Sequence, residues 1–282
     1  MQLAGFSLLD YRHLLETALE QNYNFYTVAE YFTADSIESP SIVLRHDVDR
    51  RVGNAVAMAE LETELGIDAT YYFRTSTFEP SIASRMETEG HEVGYHYEDL
   101  AKARGNVNRS HARFAANLES FRQHVSIETI CSHGSPLSPH LNTDMWKDAR
   151  TPADYDLLGK AYDIEAAADG SDDRVYFSDT GRDWNASVPG IGAIHETDDV
   201  IRALESGDCS AVYLLAHPSR WSTSHFQRVE RPSWDLAAET GKALVGGVHA
   251  IQQTGGHVAE QTRIVQALRT LAGTGTPRSE RE

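Results

Sequence analysis

Residues 41–50 read SIVLRHDVDR, an apolar run that ends in one histidine and two aspartates. The β-branched start of this stretch has no helical period, and it predicts a parallel strand that is buried on both faces. If the strand continues to Asp49, the alternation of side chains places Asp47 and Asp49 on one face and His46 on the other. The stretch therefore favours an α/β fold.

The two aspartates of this stretch would share one small site. Two carboxylates that lie so close together are costly unless a cation lies between them or one of them keeps a proton, so the pair indicates a metal site or an acid/base site. Two plainer interpretations stay open at this point. The aspartates are solvated at the end of a strand, or Asp49 is the N-cap of the next helix.

Strand and helix patterns alternate along the rest of the chain. Further strands are predicted at residues 69–74, 91–96, 128–133, 174–178 and 211–216. Helical patterns lie at residues 54–65, 80–90, 108–124, 197–206 and 234–271. Alternation with short connections indicates βα units, and therefore a parallel sheet that is either open or closed into a barrel.

Ligand-type side chains follow five of the predicted strands. They are Asp47 with Asp49, then His96, His133, residues 179–184 and His217. The carboxyl ends of parallel strands meet on one side of a sheet, where the βα loops carry the functional groups. One histidine at a strand end is more often a satisfied core or surface residue, but the coincidence of several strand ends predicts a shared site.

The chemistry of these side chains narrows the kind of site. Imidazole and carboxylate groups without a thiolate form the ligand set of a hydrolytic Zn²⁺ site, or of a similar divalent metal, with one position left open for water. The same residue types also fit a mononuclear iron site with two histidines and one carboxylate. Ligand softness does not separate the two metals.

Composition and hydropathy argue against two classes of partner. A net charge of −17 over 282 residues disfavours a general nucleic-acid surface, which needs a basic patch. The first 23 residues form an amphipathic helical pattern that contains charged residues. No other stretch is apolar for long enough to cross a membrane. We therefore expect a cytoplasmic protein in which Cys131 and Cys209 are buried reduced thiols.

Five fragments of the chain together resemble one protein family. They are LRHDVD, GHEVGYHYEDL, CSHGSPLSP, SDTGRDWN and LLAHPSRW, and they span about residues 41–221. In this order and spacing they resemble the polysaccharide deacetylase family, carbohydrate esterase family 4, in a divergent branch with HDVD in place of TFDDG. Members of this family remove N- or O-acetyl groups from glycans. The resemblance implies a distorted (β/α) barrel with about seven parallel strands.

We expect the chain to form a single domain. Its length allows two average domains, but α/β barrels of this size are commonly single. The predicted barrel domain covers residues 1–274, with an N-terminal helical extension at about residues 1–33 and a disordered tail at residues 275–282.

The resemblance implies catalytic roles for three residues. Asp47 corresponds to the catalytic base and Asp49 to a metal ligand, but one residue separates them here and the two roles can be exchanged. His217, in LLAHP, matches the histidine that protonates the leaving group.

The resemblance also implies a ligand set. His96 matches the first histidine of the family's HxxxH motif, while Leu100 stands in place of the second. His133 would complete the site together with Asp49 and His96, and Glu98 is the alternative third ligand.

Later motifs imply residues that orient the catalytic groups and bind the substrate. Asp183 and Trp184 match a DW element that orients the catalytic histidine and lines the groove. Arg182 beside them can take the part of the family's arginine near the base, because CSHGSPLSP contains none. Tyr97, Trp184 and Trp221 are of a type that stacks on sugar rings, although such aromatic residues are as often plain core.

The implied activity is metal-dependent hydrolysis that removes an acetyl group from an N-acetylated sugar or glycan intermediate, with Zn²⁺ as the expected metal. We expect the substrate to be linked to a nucleotide or a lipid. Two alternatives stay open. The chain is a catalytically silent relative that binds a glycan or a metal, or it is a metal hydrolase that acts on a non-sugar amide.

Overall fold

Helices and strands alternate in the part of the chain that the computed structural model describes, which is residues 6–135, 137–167, 174–184, 186–188 and 190–223. The helices are α1 (Leu8–Glu20), α2 (Val28–Thr33), α3 (Val52–Leu65), α4 (Pro80–Thr88), α5 (Asp99–Lys102), α6 (Val107–Arg122), α7 (Ala161–Ala167) and α8 (Thr197–Ser206). The strands are β1 (Asn24–Tyr26), β2 (Ser41–Val48), β3 (Thr70–Phe73), β4 (Glu92–Tyr97), β5 (Thr129–Ser132), β6 (Gly159–Lys160), β7 (Arg174–Ser178), β8 (Ala186–Val188), β9 (Gly192–Ile194) and β10 (Ala211–Ala216). The helix predicted at residues 234–271 and the tail predicted at residues 275–282 lie outside the described residues.

The main sheet is parallel and β2 lies near its middle. Its strand order is β6-β5-β4-β3-β2-β10-β7, and β1 pairs in addition with the first half of β2. The sheet curls into a half-barrel, so the prediction of a distorted (β/α) barrel with a parallel sheet is confirmed. The short strands β8 and β9 form a separate antiparallel pair.

The predicted elements from residue 41 onwards agree with the structure to within about two residues at most ends, as is usual for helix and strand boundaries. Helix α3 ends at Gly66, whose φ of 72° is the left-handed conformation that glycine adopts most readily. The predicted free, buried thiols of Cys131 and Cys209 are confirmed. None of the helices within the described ranges is both long and apolar enough to cross a membrane.

Apolar side chains cover both faces of the curled sheet. A large cluster joins the sheet to helices such as α1, α3 and α6. A smaller cluster contains Val43, Tyr72, Cys131 and Tyr213, one each from β2, β3, β5 and β10. Because side chains alternate along β2, Asp47 lies on the same face as Val43, above this smaller cluster.

Behind β2, a buried polar group ties the sheet to α1 and α3. Glu62 accepts hydrogen bonds from the hydroxyl groups of Tyr11 (2.5 Å) and Tyr71 (2.7 Å), and its Oε1 lies 2.8 Å from His46 Nε2. Burial by itself raises the pKa of Glu62, but the charge of His46 and these contacts bring it below its ordinary value. The predicted opposite orientation of His46 and Asp47 is confirmed, since His46 contacts α3.

We expect Glu62→Ala to lower the free energy of unfolding by about 3 kcal/mol, because buried donors lose their shared acceptor. Urea denaturation of both proteins measures the difference. Glu64→Ala is the matched control on the same helix. Glu64 pairs with Arg12 at the surface, and we expect its removal to leave the denaturation midpoint unchanged. Equal midpoints for wild type and Glu62→Ala would contradict a structural role for the buried carboxylate.

Candidate metal centre

The carboxyl ends of several strands of the main sheet carry the predicted site residues. Asp47 lies in β2 and Asp49 directly follows it, while His96 lies in β4. His133 follows β5, and His217 follows β10. Parallel strands place these ends on one side of the sheet, which is where the sequence predicted a shared site.

Three of the predicted ligands lie close enough together to hold one ion. The Oδ1 atom of Asp49 is 3.3 Å from His96 Nε2 and 3.4 Å from His133 Nε2, and one donor atom of each residue lies within 4.8 Å of the others. Asp49 Oδ1 is buried and accepts no hydrogen bond of normal geometry from the described residues. A buried carboxylate oxygen without such a donor, facing two imidazole nitrogens, fits a divalent metal that prefers nitrogen and oxygen ligands.

The charges at this position are tightly coupled. Burial by itself raises the pKa of Asp49, but contact with His96 and the charges of His96, His217 and His133 bring it far below its ordinary value. Burial lowers the pKa of His96, whereas Asp47 and Asp49 raise it well above its ordinary value. The carboxylates of Asp47 and Asp49 can therefore be neutralised either by a proton on His96 or by a cation that lies between these side chains.

Asp47 has a different partner from Asp49. The Nε and Nη2 atoms of Arg45 both donate to its carboxylate, at 2.9 Å each, and both side chains are almost fully buried. Arg45 also donates to Tyr213 Oη at 3.1 Å and contacts Cys131 Sγ at 2.7 Å. Burial raises the pKa of Asp47, and Arg45, followed by His96, brings it well below its ordinary value.

A second group of possible donors consists of Asp47, His96 and Cys131. The guanidinium of Arg45 already neutralises Asp47 and touches the thiol, so a cation at this position would face a positive charge. The two aspartates thus differ in their main partners, which are a guanidinium for Asp47 and two imidazoles for Asp49, while His96 Nε2 also lies 3.6 Å from Asp47 Oδ2. Sequence reasoning missed Arg45, although its spacing of two residues from Asp47 on one strand was a usable signal.

His217 is held by a fully buried carboxylate. Its Nδ1 lies 2.6 Å from Asp179 Oδ1, and its backbone N–H donates to Asp179 Oδ2 at 2.8 Å. Trp221 Nε1 donates to the same Oδ2 at 2.9 Å. Burial raises the pKa of Asp179, but the charges of His217 and Arg220 bring it below its ordinary value.

Asp179, and not the predicted Asp183, is therefore the carboxylate that contacts His217. Asp183 is half-exposed and its Oδ1 lies 2.9 Å from Nδ1 of the exposed His195. Asp179 follows β7, next to β10 in the sheet, so the neighbouring strand ends bring it to His217. The guanidinium against Asp47 belongs to Arg45, whereas Arg182 lies in the turn Thr180–Arg182 with a φ of 59°.

The three aromatic residues predicted to stack on sugar are core residues, and Trp221 is fully buried. Tyr97 is fully buried, and its hydroxyl contacts Tyr162 Oη at 2.8 Å and accepts from Trp146 Nε1 at 2.9 Å. Trp184 is 2% exposed and stacks on Phe6. Alternation explains Tyr97, because its neighbour His96 in β4 faces the site.

Leu100 does not reach the site either. It lies in α5 and is 3% exposed, as part of the large apolar cluster. His133 lies beside Asp49 instead, with its Nε2 at 3.4 Å from Asp49 Oδ1. Glu98, the predicted alternative, contacts the other side of the His133 ring, with its Oε2 at 3.5 Å from His133 Nδ1.

No protein-family model matches the chain, and no curated protein matches it. Among solved structures, the chain is similar to a CE4 family pseudoenzyme from Bacillus anthracis, with 11% identity and a TM-score of 0.41 over 74% of this chain and 62% of that one. The chain thus spans less than two thirds of that protein. It is also similar to the peptidoglycan deacetylase PdaC from Bacillus subtilis, with 15% identity and a TM-score of 0.38 over 83% and 98% of the two chains. A family 4 carbohydrate esterase from Bacillus anthracis matches with 11% identity and a TM-score of 0.38 over 86% of both chains. These are similarities of fold alone.

We expect Arg45→Met to lower the free energy of unfolding by about 3 kcal/mol or more, because it leaves Asp47 as a buried charge without its partner. Asp47→Asn in the same chain removes that charge, so the double variant should be more stable than Arg45→Met alone. Urea denaturation of wild type, the two single variants and the double variant gives their coupling energy. Arg12→Met, which removes a partly exposed arginine from a surface ion pair, should leave the midpoint unchanged. Additive effects of the two changes would contradict the pairing.

Proposed function

We propose that this protein is a metal-dependent hydrolase that removes an acetyl group from an N-acetylated sugar or glycan intermediate. The observation that carries the proposal is the buried Oδ1 of Asp49, which faces the Nε2 atoms of His96 and His133 beside a separately paired carboxylate, Asp47. The resemblance of the sequence motifs to polysaccharide deacetylases supports the choice of an acetylated sugar.

Asp49, His96 and His133 are the residues that would hold the metal, and their donor set suits Zn²⁺. When bound, the metal supplies a Lewis acid that polarises the acetyl carbonyl and makes water more acidic. Nδ1 of His96 lies 3.3 Å from the carbonyl oxygen of Cys131. An N–H at Nδ1 donates to that oxygen, which leaves the lone pair of Nε2 directed at the site.

Asp47 acts as the base in this proposal. Arg45 holds both of its oxygens and keeps it ionised, so that it can take a proton from the attacking water. The same pairing makes Asp47 a poor cation ligand, which supports Asp49 as the ligand and leaves the proton transfer to Asp47.

His217 acts as the acid. Asp179 holds its Nδ1, and the imidazole gives a proton from its Nε2 to the departing nitrogen as the C–N bond breaks. Water supplies the oxygen that joins the acetyl carbon, and the products are acetate and the free amine.

Hydrolysis of a non-sugar amide is the second candidate. It is favoured by the burial of Tyr97 and Trp184, since neither of these aromatic side chains is available to stack on a sugar ring. The nucleotide or lipid linkage of the substrate is likewise part of the proposal.

We expect Asp47→Asn and His217→Ala to lower turnover by about 10²–10⁴-fold with metal content unchanged, because each removes a proton-transfer group and neither removes a ligand. Asp49→Ala and His133→Ala should bind the metal more weakly, so that both purify with less metal and show less activity. Acetate release from an N-acetylglucosamine oligomer and elemental analysis of the purified proteins measure both effects. Asp144→Asn, at a surface pair with Lys147, is the control that should change neither.

Three results would contradict parts of this proposal. Loss of metal in Asp47→Asn would make Asp47 a ligand and exchange the roles of the two aspartates. Hydrolysis of a simple acetanilide without acetate release from the sugar would favour the non-sugar amide. Metal-loaded protein that hydrolyses neither compound would be a silent binding relative.

A further inference from the structure

The imidazole of His133 lies between two carboxylates. Its Nε2 is 3.4 Å from Asp49 Oδ1, and its Nδ1 is 3.5 Å from Glu98 Oε2. Glu98 is 7% exposed and directly follows β4, whereas His133 follows the neighbouring strand β5. Glu98 is absent from the group of donors around Asp49, so its position is behind the ring of His133 and not beside the ion site.

Arg74 holds Glu98 in this position. Its Nη2 donates to Glu98 Oε2 at 2.8 Å, and its Nη1 donates to the backbone carbonyl of Asp49 at 3.3 Å. One guanidinium thus connects the backbone of one candidate ligand with the carboxylate behind another. Lys102 Nζ lies 3.5 Å from the second oxygen of Glu98, so the carboxylate is held by two cations.

The proton of the His133 ring determines whether it can bind a metal. A neutral imidazole has one N–H, and Nε2 offers a lone pair only when that hydrogen is on Nδ1. Three groups face Nδ1: Glu98 Oε2, Ser135 Oγ at 3.2 Å and the Ser135 backbone N–H at 3.3 Å. The backbone N–H favours a bare Nδ1, whereas the carboxylate and the hydroxyl oxygen can accept from a protonated one. Of these acceptors, only Glu98 carries a charge.

We propose that Glu98 is a positioning residue that keeps the hydrogen of His133 on Nδ1 and so directs the Nε2 lone pair at the metal. The inference rests on the proposed metal centre and explains how His133 serves there. His133 lies on a loop beyond the end of β5. Leu100, which stands at the position of the second histidine of HxxxH, packs in the core. Outer contacts fix the tautomer and ring orientation of a metal-ligating histidine, and Glu98 supplies such a contact to His133.

Glu98→Gln tests this role, because glutamine keeps the size of the side chain and removes the charge. We expect Zn²⁺ to bind this variant about 10–100-fold more weakly than wild type, with one ion per chain in both. Competition with a chelating dye measures the dissociation constant on metal-free protein. Asp99→Asn is the matched control. Asp99 is the adjacent buried carboxylate, it contacts Tyr95 and Asn117, and its removal should leave the Zn²⁺ affinity unchanged.

A double-mutant cycle separates positioning from a general structural role. In a His133→Ala background, Glu98→Gln should have no further effect on Zn²⁺ affinity, since Glu98 acts through His133. An equal loss in both backgrounds would overturn the inference. So would an unchanged affinity of Glu98→Gln, or a loss seen in Ser135→Ala and not in Glu98→Gln, which would make Ser135 Oγ the acceptor.

One measurement needs no variant. The ¹⁵N chemical shifts of the histidine rings in Zn²⁺-loaded wild type identify the ligating nitrogen, and we expect Nε2 as ligand and an N–H at Nδ1 for His133. Ligation through Nδ1 would overturn the inference even if Glu98→Gln fails to fold. Wild type that binds no Zn²⁺ would overturn the proposed metal centre itself, whereas wild-type binding with an unaffected Glu98→Gln overturns only the role of Glu98.

Discussion

All eight residues of β2 are buried, so each charged or polar side chain on this strand needs a partner on its own face. Arg45 and Asp47 face the inside of the curled sheet and neutralise each other. His46 faces the helices, where Glu62 lies against it. The alternation of side chains along β2 thus places His46 in a polar layer between the sheet and the helices. It places Arg45 and Asp47 on the opposite face, in the layer of the candidate site.

This separation gives the two aspartates different chemistry. Asp47 is the last inward-facing residue of the strand and already has its cation in Arg45, whereas Asp49 lies just beyond the strand and faces two imidazole groups. Two carboxylates two residues apart can therefore both be ionised in one site, since each has its own positive neighbour. The proposed division between a base and a metal ligand depends on this difference.

At two places around the site, the end of one strand supplies a partner for a residue at the end of the adjacent strand. His133 at the end of β5 lies beside Asp49 and His96, while Leu100, four residues after His96, packs in the core. Asp179 at the end of β7 holds His217 at the end of the adjacent β10. In both cases the partner comes from the next strand in the sheet, because parallel strands bring their carboxyl ends together whatever their distance along the chain.

The resemblance of the motifs implied the group of Asp49, His96 and His133. The sequence by itself determined the parallel α/β fold and the strand ends that carry the candidate site. These features follow from local pattern, since β-branched runs, helical periods and polar residues directly after strands are visible along the chain. Only the tertiary structure decided that Arg45 pairs with Asp47, that Asp179 and not Asp183 holds His217, and that Tyr97 and Trp184 belong to the core. Strand order, the curl of the sheet and the face that each residue presents decide which of several similar side chains come into contact. Those are properties of the packed sheet, and no local stretch of sequence contains them.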